Sequence, residues 1–506
     1  MSLLGVDVGT TGVRAAAFDA QGRVLADAIE TGGYVAPAPG RGEAAAEGWW
    51  AQVCAACTRV GEKTRLADVE AVGVTGQAPT AVVVDADGRP LRPAVLWLDV
   101  RADAEARALD RALGAGQAEA IGGNRMHAYY LGPKLAWLRA HEPGLLERAT
   151  HVLQSHAFVV RELTGEATCD ASTAMLCAPL FDARAGVWSA AGAAAAGVPL
   201  RLLPRIARSH DVVGRVTREA AAATGLREGT PVVAGGGDFA ASALGAGVVD
   251  EGQACLILGT AGNLLVPTRE PRFDARLINS HHVGCDRWLS LGGTLCGAAL
   301  EWFRGACAPG VDWTVLEQEA AAAATASRAP ELLFLPYLQG ERTPVWDERA
   351  RGVYFGLDLM HRRGHLFLAL VDGIALGFRD CLEVIREAGV VVREVVAANG
   401  AGRSALLRQT LANALGVRVA WTPDAGTPAT VRGAAALAGL GCGALKDVAE
   451  AALWSARGAG GEVRRHEPDP SEGARLERLF ARRVALYGAV RELFLARETS
   501  PEARAQ

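Results

Sequence analysis

Short apolar runs broken by glycine-containing turns open the chain. Leu3 to Val8 and Val13 to Phe18 have strand length and are joined by Gly9-Thr10-Thr11-Gly12. Asp19-Ala20-Gln21-Gly22 then turns the chain into a third strand from Val24. The pattern returns at Val69 to Thr75, Ala81 to Val84 and the turn Asp85-Ala86-Asp87-Gly88. Hairpins at the head of each unit predict a mixed sheet and argue against a purely parallel one. Helix-compatible spacing follows at Trp49 to Arg59, Ala102 to Leu113 and Lys134 to His141. Pro199 to Pro204 reads as a connector and Val212 to Val216 as a short strand. Thr230 to Ala234 leads into Gly235-Gly236-Gly237-Asp238, a loop that opens a small-residue helix through Gly247.

Between Gly245 and Gly252 the organisation restarts. Ala254 to Leu258 is apolar, Gly259-Thr260-Ala261-Gly262 turns, and Asn263 to Pro267 continues as a strand. This repeats the strand, Gly-Thr turn, strand order of residues 3–18 about half a chain later, which suggests a duplicated architecture. Helices are expected at Leu295 to Phe303, Trp313 to Ser327 and Leu366 to Ile385. A strand from Glu394 to Ala397 enters a glycine-containing loop and the helix Ser404 to Leu415. Glu467-Pro468-Asp469-Pro470 is a linker, and Leu476, Leu479, Phe480, Tyr487, Val490 and Phe494 mark one face of a final amphipathic helix.

At 506 residues the chain exceeds one ordinary core, so two large domains are expected, 1–246 and 247–506, with 466–506 as linker and terminal helix. Half of the residues are hydrophobic and the formal net charge is -4, which gives no electrostatic reason to expect nucleic acid or an anionic membrane as partner. Basic pairs such as Arg362-Arg363 and Arg482-Arg483 read as solvated helix surface. Asp7 and Arg14 interrupt the apolar start, so it reads as a strand and not as a signal peptide, and a cytoplasmic location is expected. Ten scattered cysteines read as small buried hydrophobes. Adjacent residues of a strand point to opposite faces, so His281-His282 is a poor metal pair.

Three features can carry phosphate chemistry. Asp7-Val8-Gly9-Thr10-Thr11 sets a carboxylate at a strand end before a turn rich in N–H groups and hydroxyls. Such a turn can wrap phosphate oxygens while the carboxylate holds a hydrated magnesium ion, or it can be an ordinary surface hairpin. Gly259-Thr260 offers a second turn of the same kind, and Gly400-Ala401-Gly402 before a helix can admit a nucleotide. Phosphoryl transfer needs clamps on several oxygens, a divalent ion and an in-line nucleophile. Asp238 is either a helix N-cap or a carboxylate that accepts a hydroxyl proton. Trp97, Asp99 and Arg101 alternate in an extended segment, as a ligand wall or as an aromatic residue beside an ion pair. Glu341 and Arg342 read as a surface pair.

In their order, Asp7-Val8-Gly9-Thr10-Thr11, Glu47-Gly48-Trp49-Trp50, Thr75-Gly76-Gln77, Trp97-Leu98-Asp99-Val100-Arg101, Gly235-Gly236-Gly237-Asp238, Gly259-Thr260, Gly340-Glu341-Arg342-Thr343-Pro344 and Arg403-Ser404 resemble the FGGY family of carbohydrate kinases, and its xylulose-kinase-like branch in particular. The likeness runs from about residue 3 to about residue 440. It implies an α/β fold of two ribonuclease-H-like, actin-type domains with a cleft between them. It implies ATP and Mg2+ as cofactors and a small sugar as partner, a ketopentose such as D-xylulose first and another polyol or sugar such as glycerol or ribulose second. A homodimer is among the expected assemblies. By the same resemblance Asp238 is the catalytic base and Asp7 helps to hold the metal. Thr10, Thr11, Gly259 and Thr260 meet phosphate, while Gly297, Gly400 and Ser404 line the nucleotide site. Gln77, Ala78, Pro79, Trp97, Asp99 and Phe239 surround the sugar.

The chain departs from that pattern at several places. Ala261 stands where the family commonly has serine, and Asn399-Gly400-Ala401 replaces a triple glycine. Ala78-Pro79 replaces Met-His, Leu98 replaces asparagine, and Phe239 replaces the asparagine after the base. A pocket with fewer polar groups accepts a different hydroxyl pattern, because an unmatched buried polar group is costly. Two non-kinase readings share the fold, an actin-like ATPase and a sugar sensor. The ATPase would lack the sugar-side segment Gln77 to Arg101, and a sensor would tolerate loss of the base Asp238.

Overall fold

Short apolar strands bounded by glycine turns assemble the first sheet of the chain, whose computed structural model describes residues 2–325, 331–398, 400–423 and 426–496. The strands run in the order Val212–Arg215, Pro231–Val233, Val69–Gly76, Ser2–Val8, Gly12–Asp19, Val24–Thr31, with Gly236–Gly237 beside Val69–Gly76. Ser2–Val8 pairs antiparallel with Gly12–Asp19 and parallel with Val69–Gly76, so the sheet is mixed, as the hairpin pattern predicts. Its core is aliphatic, with Leu4, Val6, Val13, Val72 and Val74 all but inaccessible to water.

A second sheet repeats the same wiring. Gln253–Leu258 pairs antiparallel with Ala261–Thr268 and parallel with Glu394–Ala398, and Glu394–Ala398 pairs parallel with Arg418–Trp421. The duplication read from two Gly-Thr turns is therefore a duplication of topology.

Residues 1–250, 267–290 and 424–461 form one compact unit, and 251–266, 291–423 and 462–506 form the other. Two later segments return to the first unit, so neither unit is a continuous half of the chain. The larger return carries the helix Ala429–Gly441, which the periodicity does not reveal. Residues 429–439 are buried on every side, so no polar stripe marks the helix. Glycines seat it. A Cβ on Gly73 would lie 1.9 Å from Ala434 O, one on Gly5 2.1 Å from Val431 O, and one on Gly433 1.9 Å from Ala241 O. Backbone meets backbone at each crossing, which only glycine permits.

Other expected helices are present with shifted ends. Leu295 closes the strand Trp288–Leu295, and the helix following it is Gly297–Cys307. The helix from Trp313 is described to Thr325, and the end expected at Ser327 lies outside the described residues. The linker leads into the terminal helix Pro470–Ala496, whose Leu476 and Leu479 are fully buried. Arg482 does lie at the surface, 3.5 Å from Glu331. Arg483 corrects the reading of that pair as solvated. Its side chain is 2% exposed, and it donates to Asp380 and to Tyr337 Oη, both at 2.8 Å. Burying a guanidinium requires such partners. Among the described residues no helix is long and apolar enough to cross a membrane.

Candidate functional site

In the first unit, three neighbouring parallel strands deliver the acidic residues to one edge. Asp7 is in register with Thr75, Thr75 with Gly236, and Gly76 with Gly237. Asp238 follows at once as the first residue of the helix Asp238–Gly245. Sites in open α/β sheets form beyond the carboxyl ends of such strands. Gly237, not Asp238, occupies the N-cap position, and no side chain caps the helix. Asp238 accepts the N–H of Phe239, at 2.7 Å, so the capping alternative for this residue is not realised. Thr75 Oγ1 donates to Gly236 O at 2.8 Å and Gly237 N–H donates to Ser172 Oγ at 3.1 Å, which fixes the loop before the acid.

Burial pushes the Asp238 carboxyl up to about 6, against the opposing pull of the Phe239 N–H and the charge of His156. Burial, and then the negative charge of Asp238, push Asp7 up to about 8, while Arg14 pulls it down. Asp7 Oδ1 is buried without a hydrogen-bond partner. An orphaned carboxylate oxygen beside a second acid suits a cation, which would relieve both the desolvation and the repulsion. Among the described residues no three His, Cys, Asp or Glu side chains gather as a complete metal cage. The pair fits magnesium, which keeps most of its waters and takes one or two carboxylates together with phosphate oxygens.

The other expected residues of this unit divide into two groups. Trp97 Nε1 donates to Thr10 Oγ1 at 3.0 Å, and Thr10 Oγ1 donates to Gln77 Oε1 at 3.2 Å. Thr10, expected at phosphate, is thus joined to two residues expected at the sugar. Thr11 is exposed on the same turn. Ala78 and Pro79 are buried beside Gln77, and Ala78 O accepts the Tyr129 hydroxyl at 3.1 Å. Phe239 packs its ring against Gly237. Asp99 has a different set of partners. It is fully buried and bound by the Arg101 guanidinium at 2.6 Å and by Gly42 N–H at 2.7 Å. Of the two alternatives for this segment, the ion pair describes Asp99. Asp99 and Arg101 stand on the same backbone segment as Trp97. Lys134 acts on the same backbone, donating to Leu96 O at 2.8 Å.

The second unit holds a cavity of about 1090 Å³. Gly259, Thr260, Gly297, Gly400 and Ser404, read from separate motifs, all line it. Gly297 N–H donates to Gly259 O at 2.9 Å, and a Cβ on Gly297 would lie 2.6 Å from that oxygen, so the Gly-Thr turn rests directly on the start of the helix. Ser404 caps the helix Ala405–Leu415 by accepting Leu407 N–H at 3.1 Å. Ala261 does not line the cavity, Ala401 does, and Asn399 lies outside the described residues. Sequence reasoning missed the opposite wall, where Trp302, Trp313, Thr314, Glu317 and Phe367 stand. Their helical spacing reads as core, and only the fold turns them to a cavity. Glu341, read as a surface residue, is buried. It accepts Thr294 Oγ1 at 2.6 Å, and burial pushes it up to about 7.

Comparison with known proteins gives a consistent likeness. The family model described as the FGGY family of carbohydrate kinases, N-terminal domain, matches residues 2–245, and its C-terminal counterpart matches 254–442. A xylulose kinase of Escherichia coli K12 is 33% identical over 456 residues, covering 88% of this chain and 91% of that protein. A glycerol kinase of Dechloromonas aromatica is 32% identical over 496 residues, covering 95% of each. The crystal structure of xylulose kinase from Rhodospirillum rubrum superposes with a TM-score of 0.88 at 30% identity, covering 98% of this chain and 100% of that one.

Proposed function

This chain belongs to the FGGY family of carbohydrate kinases, and from that premise we propose that it transfers the terminal phosphoryl group of ATP to a hydroxyl of a ketopentose, D-xylulose in first place. The observation that carries the reading is the juxtaposition of Asp238, a carboxylate held by the Phe239 N–H, and the orphaned oxygen of Asp7. One acid takes a proton and the other attracts a cation.

In this reading the sugar hydroxyl attacks the terminal phosphorus as its proton passes to Asp238. The phosphorus–oxygen bond to ADP breaks, and the electron pair leaves with ADP. Asp238 must be ionised at that moment, and a positioned base of this kind is worth roughly 10²–10⁴ in rate. Asp7 would hold hydrated Mg2+, which supplies neutralising charge at the phosphate oxygens. Thr260 and the N–H groups around Gly259 and Gly400 would bind phosphate, with the aromatic wall at Trp302 and Trp313 left for the nucleoside. Trp97, Gln77 and Thr10 would orient the sugar.

A second reading keeps the reaction and changes the acceptor. The glycerol kinase match and the apolar Ala78, Pro79 and Phe239 are what support another polyol or sugar, such as glycerol or ribulose. ADP release over D-xylulose, ribulose, glycerol and no acceptor decides between them. Turnover fastest with xylulose is expected. Equal turnover without any acceptor would make the chain an ATPase, and none with any acceptor would remove the kinase reading.

A further inference from the structure

Behind the cavity of the second unit stands a buried cation that the proposed chemistry has not used. Arg408 lies one turn into the helix Ala405–Leu415 and is 1% exposed. Its side chain turns back toward the helix start, as long helical side chains do. Nη1 donates to Gly402 O at 2.5 Å and to Arg403 O at 2.9 Å, and Nε donates to His466 Nε2 at 2.9 Å. The guanidinium covers the Trp421 ring at 4.3 Å, and the Arg464 guanidinium lies 5.7 Å from the same ring. Gly402 closes the other edge of that ring, where a Cβ would sit 3.2 Å from Trp421 Nε1. Burial and the Arg464 charge both oppose the charge on Arg408, and Glu317 of the cavity wall favours it from beyond ion-pair distance.

We propose that Arg408 is a positioning residue for nucleotide binding, holding the loop Gly400 to Ser404 in the shape on which the phosphates of a nucleotide rest. The inference rests on reading the cavity as the nucleotide site. In a trans peptide the C=O and N–H point in opposite directions. Tying Gly402 O to the buried fork therefore turns Arg403 N–H to the side away from Arg408. Ser404 N–H closes the turn onto Ala401 O at 3.2 Å. Gly400, Ala401, Arg403 and Ser404 line the cavity, and nothing lies within 4 Å of a Cβ placed on Gly400, so a ligand can approach that backbone closely. A planar guanidinium can grip two successive carbonyls and one imidazole at once, and an ammonium cannot match that geometry.

The test compares wild type, Arg408→Lys, Arg408→Met and Ala298→Trp, the last filling the cavity from its wall. ADP affinity is measured by titration calorimetry, the KM for ATP and for sugar by turnover, and folding by melting temperature. Expected are ADP binding weakened about tenfold or more in both Arg408 variants, a matching rise in the KM for ATP, and a sugar KM changed by less than about twofold. Arg408→Lys keeps the charge and serves where Arg408→Met does not fold. If Ala298→Trp abolishes ADP binding while Arg408→Lys, folded, binds as wild type does, the positioning role is overturned and the nucleotide reading stands. If Ala298→Trp binds ADP normally, the nucleotide reading fails and the inference with it. Equal loss of ATP and sugar affinity in the Arg408 variants would also overturn it, by revealing a general structural role.

Discussion

Asp238 sits where burial raises its carboxyl to about 6, and its proposed work needs the ionised form. The rate should therefore fall about tenfold per pH unit below about 6 and level off above it. Asp238→Asn keeps the shape and the Phe239 contact but cannot take a proton. Turnover should drop by roughly 10²–10⁴ with sugar affinity nearly unchanged, as read by steady-state kinetics and direct binding. Asp7 makes a separate prediction about stability. Its folded value of about 8 lies above the ordinary carboxylate value of 3.8, so folding takes up a proton there. The stabilisation is complete below about pH 4 and is lost as pH rises through about 8. Without magnesium, the melting temperature should decline between about pH 4 and about pH 8, and Asp7→Asn should flatten that decline. A parallel decline in both proteins would contradict the assignment.

Glycine contacts decide which elements can meet. The helix Ala429–Gly441 approaches the strands and the helix Asp238–Gly245 so closely that Gly433 has no room for a methyl group. Gly433→Ala should destabilise the protein by about 1–3 kcal/mol or more, the usual cost of overpacking. Gly488 of the terminal helix has nothing within 4 Å of a Cβ, so Gly488→Ala should be neutral or stabilising by up to about 1 kcal/mol. Thermal melting of the two variants tests both. Periodicity revealed the terminal helix because one face is wet, and it missed Ala429–Gly441 because no face is. The same limit concealed Arg483, whose charge suggests solvent while Asp380 and Tyr337 hold it inside.

Chain order and folding units do not coincide. Residues 424–461 complete the first unit although they follow most of the second in sequence. A chain ending at residue 423 should therefore lose the first unit's fold as well, seen as loss of protease resistance in residues 1–250. A resistant fragment would show that the helix Ala429–Gly441 is dispensable. Local patterning was enough to foresee the mixed sheets and the duplicated strand–turn–strand wiring, because apolar runs of strand length and turn chemistry are written in neighbouring residues, while the family likeness came from the order of several motifs along the chain. Only folding in three dimensions established that Asp99 is consumed by Arg101, that Thr10 joins Gln77 to Trp97, that Trp302 and Trp313 face a cavity, and that Arg408 lies beneath the loop at Gly402. Each of those depends on which distant segments become neighbours, and burial and partnership are properties of neighbours in space.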